Sequence, residues 1–353
     1  MKALPLFPAS VVGSLPRPQH VRDLIEKATW DEADERAMDA AIRYAVSMQE
    51  SAGLDVVTDG EWRRRSYIGV IAELAHGFAL EVNLADGRPW TVVTEKLSLK
   101  PAGFIASEAK FLKSVARAAT KITLPAPALL GERLWHPVRS RQAYPKRDDF
   151  VRDCVEPLRR EIALIRDIGI DMVQIDDPHL CLFVDPEVRK GYENPDRAAD
   201  FAADMINALV EGFDGIKFAV HLCRRAGARV RGEKHHAGAY GPILPQLNRL
   251  KVQHLTIEFT AAGADDLESI ARLREDFELG LGVVDVTPGE AQDPQQIVAR
   301  VERALTRVRA QRITLNPDGG FAPGSAAKVD IDEVYLKLRA EAEAARLLRQ
   351  RHG

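Results

Sequence analysis

The chain has 353 residues, of which 46% are hydrophobic, and carries a formal net charge of −3 at pH 7. This size allows one large domain or two smaller ones with a substantial core, and the balanced charge without a basic cluster argues against nucleic acid as a main partner. No stretch approaches about 18 consecutive apolar residues, and prolines interrupt the N-terminal apolar run, so we expect neither a membrane span nor a signal peptide.

Eight short apolar runs recur along the chain, and most are followed by a polar turn and a helical stretch. Most of these runs are continuously apolar rather than alternating, which is typical of parallel strands covered on both faces. A helix is expected between a capping box at Thr29 and Glu32 and a stop at Gly53. The eight runs occupy residues 10–14, 54–60, 121–127, 171–177, 216–223, 254–260, 279–286 and 312–320.

Eight strand–helix units predict an α/β fold, a (β/α)8 TIM barrel, with an open doubly wound sheet as the alternative. Residues 79–120 do not fit this repeat. An Asp86-Gly87 turn lies there between two strand-like runs, which predicts a β-hairpin inserted after the second barrel strand. We expect residues 1–353 to form a single domain that includes this hairpin.

Polar residues collect where the predicted strands end, which is where the active sites of parallel barrels lie. A single such residue is readily explained as a helix cap or a loop ion pair, but the whole set favours one polar pocket. The residues are Gly13, Ser14, Asp59, Gly60, Glu61, Asp176, Asp177, His221, Cys223, Glu258, Asn316, Pro317 and Asp318.

His221 and Cys223 stand two positions apart on one predicted strand and therefore project from the same face. Imidazole and thiolate are preferred zinc ligands, and Glu258 ends the next strand, within reach of the same point. Taken alone, the pair also fits a buried cysteine beside a hydrogen-bonded core histidine. With Glu258 on the neighbouring strand, the sequence favours a Zn²⁺ site.

Seven segments in a fixed order resemble the cobalamin-independent methionine synthase family, in its catalytic barrel. They extend over nearly the whole chain: "VVGSLPRP", "GLDVVTDGEWRR", "VQIDDP", "VHLC", "LTIEFT", "LGLGVVDV" and "LNPDGGF". The sequence around these segments is closer to that of short single-barrel members, such as epoxyalkane:coenzyme M transferase-like proteins.

This resemblance implies a cytoplasmic, zinc-dependent methyltransferase or alkyltransferase that activates a thiol, as in methionine biosynthesis from homocysteine and a methyl-folate. It places zinc ligands at His221, Cys223 and Glu258. Gly13 and Ser14 would bind the carboxylate of the substrate amino acid, and Glu61 and Asp176 its amine. Asp176 and Asp177 are the carboxylates assigned to catalysis, Asp177 replacing a family glutamate. The chain has only three cysteines, an odd number that argues against a disulfide framework and fits a reducing cytoplasm.

The sequence departs from the family pattern at two positions. Gly319 stands where the family has a cysteine as its fourth zinc ligand, and the nearest substitutes are Asp318, Cys181, His235 and His236. Thr287 stands where methionine synthases have a histidine that acts as an acid, and threonine cannot do so near neutral pH.

These departures leave other functions open. One is a carbon–sulfur lyase or an epoxide–thiol transferase, and another is a barrel that binds without catalysis. The expected partners are a small-molecule thiol and an alkyl or methyl donor, with no nucleic acid and no membrane; a homo-oligomer is compatible with the sequence. The run Arg63, Arg64 and Arg65 suggests attraction of an anionic substrate, and Trp62 and Trp135 are candidates for an aromatic surface under a folate.

Overall fold

The computed structural model describes residues 2–82, 89–224, 236–260, 265–322 and 329–353. Within these ranges the strands are β1 (Val56–Val57), β2 (Ala75–Val82), β3 (Pro89–Leu99), β4 (Ala119–Pro125), β5 (Met172–Asp176), β6 (Lys217–Leu222), β7 (His254–Glu258), β8 (Glu278–Val284) and β9 (Ile313–Pro317).

Helices connect these strands and cover the outside of the sheet. None of those in the described ranges combines the length and apolar character needed to cross a membrane. The α-helices are α1 (Gln19–Glu26), α2 (Glu32–Ala52), α3 (Ile71–Leu74), α4 (Phe104–Val115), α5 (Pro127–Leu134), α6 (Arg147–Asp153), α7 (Val155–Ile168), α8 (Pro178–Leu182), α9 (Pro186–Arg189), α10 (Pro195–Val210), α11 (Leu244–Arg249), α12 (Leu267–Ala271), α13 (Pro294–Leu305) and α14 (Ile331–His352). Short 3₁₀ helices span Gly241–Ile243 and Ala310–Arg312.

Seven parallel strands form the main sheet, in the order β1-β4-β5-β6-β7-β8-β9. An extended segment closes this sheet into a ring, because Ala9 pairs with Leu315 of β9 and Ser10 pairs with Val56 of β1. Residues 9 and 10 thus take the place of the first barrel strand, and the eight-stranded barrel predicted from the sequence is confirmed. The core strands are buried along their length, as expected for a sheet covered on both faces.

The closure of the ring, which we call the barrel seam, consists of residues 8–10 with Val56 and Leu315. Its backbone bonds run from Ser10 N–H to the Leu315 carbonyl (3.0 Å), and from Leu315 N–H to the Pro8 carbonyl (2.8 Å). The last helix secures it from outside, since Arg349 donates to the carbonyls of Leu6 (2.7 Å) and Phe7 (3.1 Å). The Ala9 carbonyl also accepts from the N–H groups of Asp55 (2.9 Å) and Val56 (3.2 Å), and carboxylates of Asp55 and Glu341 accept from Ala9 and Ser10. The seam is therefore held by isolated backbone bonds, two carboxylates and the Arg349 clamp.

An antiparallel hairpin, β2 and β3, is inserted between the second and third barrel strands, as predicted. Its bounds differ from the predicted 79–120, because β2 begins at Ala75, β3 ends at Leu99, and residues Phe104–Val115 form a helix. Ile105, Ala109 and Leu112 are buried at helical spacing in α4, a pattern that the strand interpretation overlooked. The Asp86-Gly87 turn lies outside the described residues.

Helix α2 begins at Glu32 rather than at a capping box on Thr29. Asp31 is the N-cap, and its side chain accepts from the backbone of Ala33 and Asp34. The carboxylate of Asp34 returns to the Asp31 N–H, so the reciprocal cap is shifted by two residues. Gly53 ends the helix with φ 98°, as the sequence predicts.

Candidate functional site

A cleft of about 1620 Å³ opens at the carboxyl ends of the barrel strands. Its lining includes five of the residues selected from the sequence: Ser14, Glu61, Asp176, His221 and Cys223. One wall is the segment 61–70 and another is the inserted hairpin. The parallel strands therefore bring residues that are distant in sequence to one end of the barrel, where the active sites of parallel barrels lie.

Gly13 and Ser14 lie in a tightly packed part of the cleft floor. A Cβ atom on Gly13 would stand 2.7 Å from Oε1 of Glu61, and one on Gly320 would stand 2.3 Å from Oγ of Ser14. The Ser14 carbonyl accepts from Phe321 N–H (3.1 Å). Both positions thus need glycine, because Glu61 packs closely against residue 13 and Ser14 against residue 320.

Glu61 adopts a left-handed backbone conformation, with φ 59°. Its N–H donates to Oδ1 of Asp59 (3.0 Å), and its carbonyl accepts from Arg17 (2.7 Å). Its Oε1 accepts from the Thr123 hydroxyl (2.8 Å). Burial raises the pKa of the Glu61 carboxyl, and the nearby Arg64 opposes this shift. A backbone of this kind costs roughly 1 kcal/mol and persists where its surroundings enforce it.

His221 is oriented by a carboxylate. Its Nδ1 lies 2.9 Å from Oδ1 of Asp176, and the same oxygen accepts from Nε2 of Gln174 (2.8 Å). Gln174 also donates to the Val12 carbonyl (3.0 Å). With a proton on Nδ1, Nε2 presents a lone pair, and this buried atom has no hydrogen-bond partner among the described residues. Carboxylate–histidine pairs of this kind support metal-binding imidazoles.

Cys223 and Glu258 are in contact across β6 and β7, with Sγ 3.4 Å from Oε1. Glu258 is fully buried. Its Oε1 also accepts from Arg224 N–H (3.0 Å), and its Oε2 lies 3.6 Å from the Arg224 guanidinium. The carboxylate thus has a fixed position next to the thiol.

In the described ranges, no three His, Cys, Asp or Glu side chains are gathered into a group that could hold a metal ion as it stands. The donor types nevertheless fit Zn²⁺, since a thiol and a carboxylate already touch and His221 presents a buried nitrogen that bonds to none of the residues described. The proton in the Sγ–Oε1 contact is the one that metal binding would displace.

The substitutes considered for the missing fourth ligand have other partners or lie elsewhere. Asp318 accepts from the N–H groups of Phe259 (2.9 Å) and Thr260 (3.1 Å), and His236 pairs with Asp185 (2.8 Å). Cys181 is buried in α8, where burial raises its thiol pKa to about 12. His235 lies outside the described residues.

Asp177 and Thr287 have local structural contacts. Oδ1 of Asp177 caps α8 by accepting from Leu180 N–H (2.8 Å), and burial raises the pKa of this carboxyl to about 7. The Thr287 N–H donates to Asp285 (2.9 Å). Neither is among the described residues that line the cleft, and a catalytic role for Asp177 stays a prediction.

The three consecutive arginines that follow Glu61 and Trp62 form ion pairs and hydrogen bonds within the protein. Arg64 is fully buried and forms an ion pair with Glu108 (2.8 Å). Arg63 pairs with Glu35 (3.1 Å), and Arg65 donates to backbone carbonyls. Each guanidinium therefore already has acceptors, which weakens the idea that this run attracts an anionic substrate.

The aromatic lining of the cleft is not the one suggested by the sequence. Trp62 is fully buried and donates to the Leu15 carbonyl (3.2 Å), and Trp135 donates to the Tyr144 carbonyl (3.0 Å). Trp30, Tyr67 and Trp90 line the cleft in their place. These positions have no distinguishing sequence signal.

Arg224 is a further residue of the site that sequence reasoning missed. It is fully buried, donates to the Tyr240 hydroxyl (2.8 Å) and to the Gly238 carbonyl (2.7 Å), and lies over the Tyr240 ring. The Tyr240 hydroxyl in turn donates to the Glu258 carbonyl (3.0 Å). In sequence, Arg224 is simply the first of two adjacent arginines, which usually indicates a solvated turn.

Comparison with known proteins shows which family the chain resembles. A family model described as "Cobalamin-independent synthase, Catalytic domain" matches residues 7–346. A methionine synthase of Saccharolobus islandicus is 27% identical over 361 residues, covering 99% of this chain and 97% of the relative. A methionine synthase of Sulfolobus acidocaldarius is 26% identical and covers 90% of this chain and 86% of the relative.

Solved structures share the fold. A B12-independent methionine synthase from a Shewanella species, in complex with selenomethionine, matches with a TM-score of 0.81 at 20% identity, covering 98% of this chain and 99% of the other. A methyltransferase from Methanosarcina mazei matches with a TM-score of 0.61 at 16% identity, covering 98% and 95%.

Proposed function

The chain belongs to the cobalamin-independent methionine synthase family, in its catalytic domain, and on that premise we propose that it transfers a methyl or alkyl group to the sulfur of a small thiol held at a zinc ion. The observation that carries this proposal is the pairing of His221 with Asp176, which leaves Nε2 buried and without a hydrogen-bond partner in the described part of the chain. The Cys223–Glu258 contact joins the end of the same strand, β6, to the end of β7 at the barrel mouth.

His221, Cys223 and Glu258 would hold the metal. A bound Zn²⁺ lowers the pKa of a coordinated thiol so that the sulfur is present as a nucleophilic thiolate. Asp176 keeps the His221 ring in the required orientation and tautomer. The backbone N–H of Arg224 keeps Oε1 of Glu258 next to Cys223.

The floor of the cleft suits an amino-acid thiol such as homocysteine. Ser14 and the adjacent backbone would bind its carboxylate, and Glu61 and Asp176 would accept from its ammonium group. Because burial raises the pKa of Glu61, an arriving cation would favour the ionised carboxylate. The names of the curated relatives support homocysteine as the acceptor.

The cleft has room for two substrates at once. Its volume of about 1620 Å³ exceeds the roughly 300–1,000 Å³ of a typical single-ligand site. A donor held against the hairpin wall would present its alkyl group to the thiolate without first releasing it to water.

A second candidate is alkylation of the thiol by an electrophile other than a methylated folate. The Thr287 hydroxyl is no acid near neutral pH, and its N–H is occupied by Asp285. An electrophile of the epoxide type, or the reverse lyase reaction, is therefore a distinct outcome to test.

The first test is the metal content of the purified protein and of Cys223→Ser. We expect about one zinc per chain in the wild type and loss of most of it in the variant, because a serine hydroxyl is a far weaker zinc ligand than a thiolate. Elemental analysis with matched dichroism spectra measures this. Cys154→Ser, at a buried cysteine of the α6–α7 junction, is the control and should keep its zinc.

Absence of zinc from both proteins after zinc is supplied would refute thiol activation by a metal and favour a binding role. If zinc is present, the protein is incubated with homocysteine and methyltetrahydrofolate and the products are separated. Methionine supports the first candidate. Alkylated thiol from an epoxide, with no methionine, supports the second.

A further inference from the structure

A buried arginine lies directly beside the carboxylate of Glu258. Arg224 is 1% exposed, although arginine is mostly a surface residue. Its backbone N–H donates to Oε1 of Glu258 (3.0 Å), and its Nη1 lies 3.6 Å from Oε2 of the same carboxylate. Both oxygens of Glu258 therefore lie against one residue, and the guanidinium charge opposes rotation of the carboxylate away from it.

Tyr240 connects the guanidinium to the backbone of Glu258. Nη1 of Arg224 donates to the Tyr240 hydroxyl (2.8 Å), and this hydroxyl donates to the Glu258 carbonyl (3.0 Å). The guanidinium also lies 4.2 Å from the centre of the Tyr240 ring, in a cation–π contact. The Arg224 side chain thus acts on Glu258 by two routes, directly on its carboxylate and, through Tyr240, on its main chain.

The partners of Arg224 are themselves fixed. Nη2 donates to the Gly238 carbonyl (2.7 Å). Gly238 has φ 148°, and a Cβ atom there would collide with the carbonyl oxygen of Val184, so the chain passes this point in one tightly packed conformation. The Tyr240 N–H is held by Asp266 (3.2 Å). Because a guanidinium is planar and its donors point in fixed directions, these contacts leave Arg224 one orientation.

The charge of Arg224, taken alone, would not help a metal ion to bind. A Cys223 thiolate and the Glu258 carboxylate together balance the charge of Zn²⁺, and a guanidinium beside them adds a positive charge that repels the ion. A role through position and a role through charge therefore predict different results for a substitution that keeps the charge and changes the geometry.

We propose that Arg224, together with Tyr240, is a positioning residue for the metal site: it holds Glu258 with Oε1 against the sulfur of Cys223 and thereby strengthens the binding of Zn²⁺. This inference rests on the proposed function for the presence of the metal. It assigns the strength of metal binding to a residue outside the ligand set, which contacts neither the thiol substrate nor the alkyl donor in the proposed reaction.

The test is the zinc affinity of the purified protein, measured by competition with a chromogenic chelator. Arg224→Lys keeps the charge and loses the planar set of donors. We expect it to weaken zinc binding about tenfold or more, as is typical when a group that orients a metal ligand is lost. Tyr240→Phe keeps the ring, removes the hydroxyl and should weaken binding by a smaller factor.

Arg312→Lys is the matched control. Arg312 also donates to backbone carbonyls, those of Phe277 (2.8 Å) and Arg274 (2.7 Å), but at the amino ends of β8 and β9, the opposite end of the barrel. This variant should leave the zinc affinity within about twofold of the wild type.

A double-mutant cycle separates positioning from a general effect on the fold. Glu258→Gln removes the charged ligand, so adding Arg224→Lys to it should weaken zinc binding by less than about a further twofold. In protein loaded with Co²⁺ in place of zinc, Arg224→Lys should keep the absorption band of the Cys223 sulfur–metal bond. Its visible bands should shift toward those of Glu258→Gln.

Wild-type zinc affinity in Arg224→Lys and Tyr240→Phe would overturn the proposal, as would a loss that adds in full to that of Glu258→Gln. In both cases the wild type binds zinc and the proposed function stands. If Arg224→Lys does not fold, Tyr240→Phe takes its place in the cycle with the same criteria. A folded wild type that takes up no zinc refutes the proposed function, and the role of Arg224 fails with it.

Discussion

Lys121 and His254 are ionisable side chains inside the barrel, away from the proposed reaction. Nζ of Lys121 lies 3.2 Å from Oγ of Ser10, and Nε2 of His254 lies 2.9 Å from Oγ1 of Thr314. Burial lowers the pKa of Lys121 to about 8 and that of His254 to about 3. The folded barrel therefore holds His254 neutral throughout the pH range in which an exposed histidine takes up a proton.

This shift predicts an acid-dependent loss of stability. Between pH 6.5 and about 3 the unfolded chain binds a proton at His254 and the folded chain does not. The free energy of unfolding then falls as pH decreases, by at most about 1.4 kcal/mol per pH unit from this group. Urea unfolding at pH 7, 6 and 5 should show His254→Gln losing less stability than the wild type. His20→Gln, at an exposed histidine, is the control and should lose stability with falling pH as the wild type does. If His254→Gln shows the same dependence of unfolding free energy on pH as the wild type, the prediction is wrong.

The segment after β1 is attached to helix α4 by a buried ion pair. Nε of Arg64 donates to Oε2 of Glu108 (2.9 Å), and Nη1 donates to the carbonyl (2.9 Å) and hydroxyl (3.0 Å) of Thr123. The Thr123 hydroxyl also donates to Glu61. One arginine thus connects an inserted helix, a barrel strand and a carboxylate of the cleft.

Removal of one member of this pair should be strongly destabilising. Glu108→Leu leaves the Arg64 charge buried without its carboxylate, and we expect a loss of about 3–5 kcal/mol in the free energy of unfolding. Chemical denaturation measures it.

The double variant Arg64→Met, Glu108→Leu should recover much of the loss, because both charges are then gone. If the double variant loses as much free energy of unfolding as Arg64→Met and Glu108→Leu lose together, the buried pair is not the source of the effect. Arg36→Gln, which breaks an exposed pair with Glu32 on α2, should change stability by less than about 0.5 kcal/mol.

The elements that the sequence predicts well are those whose pattern is local. Continuous apolar runs gave the barrel strands, and the polar residues after them, such as Ser14 and His221, do line one cleft. The burial of Arg64 and Arg224 could not be predicted, because it depends on Glu108, Tyr240 and other residues distant in the chain.

At the scale of the whole molecule, the barrel seam closes the ring through isolated bridges rather than a continuous strand ladder. We predict that Arg349→Gln, which removes a guanidinium that contacts residues 6 and 7 and pairs with Asp55, speeds amide hydrogen exchange at Ser10 and Leu315 about tenfold. Amides of β5 and β6 should be unaffected. Arg346→Gln, on the same helix with an exposed partner in Glu343, is the control, and equal effects of both changes would show that the clamp has no special role.

The same seam has a consequence for the newly made chain. Ala9 cannot pair with Leu315 until about 300 further residues have left the ribosome, which takes roughly 15–60 s at typical rates of synthesis. Until then, the segment at residues 8–10, which pairs with β1 on one side, lacks its neighbour β9 on the other and offers an unpaired edge to other strands. A protein whose ring is completed by residues 8–10 and β9, far apart in the chain, therefore depends, during translation, on whatever keeps that edge from other chains. Its yield in a cell should respond to translation speed and to chaperones.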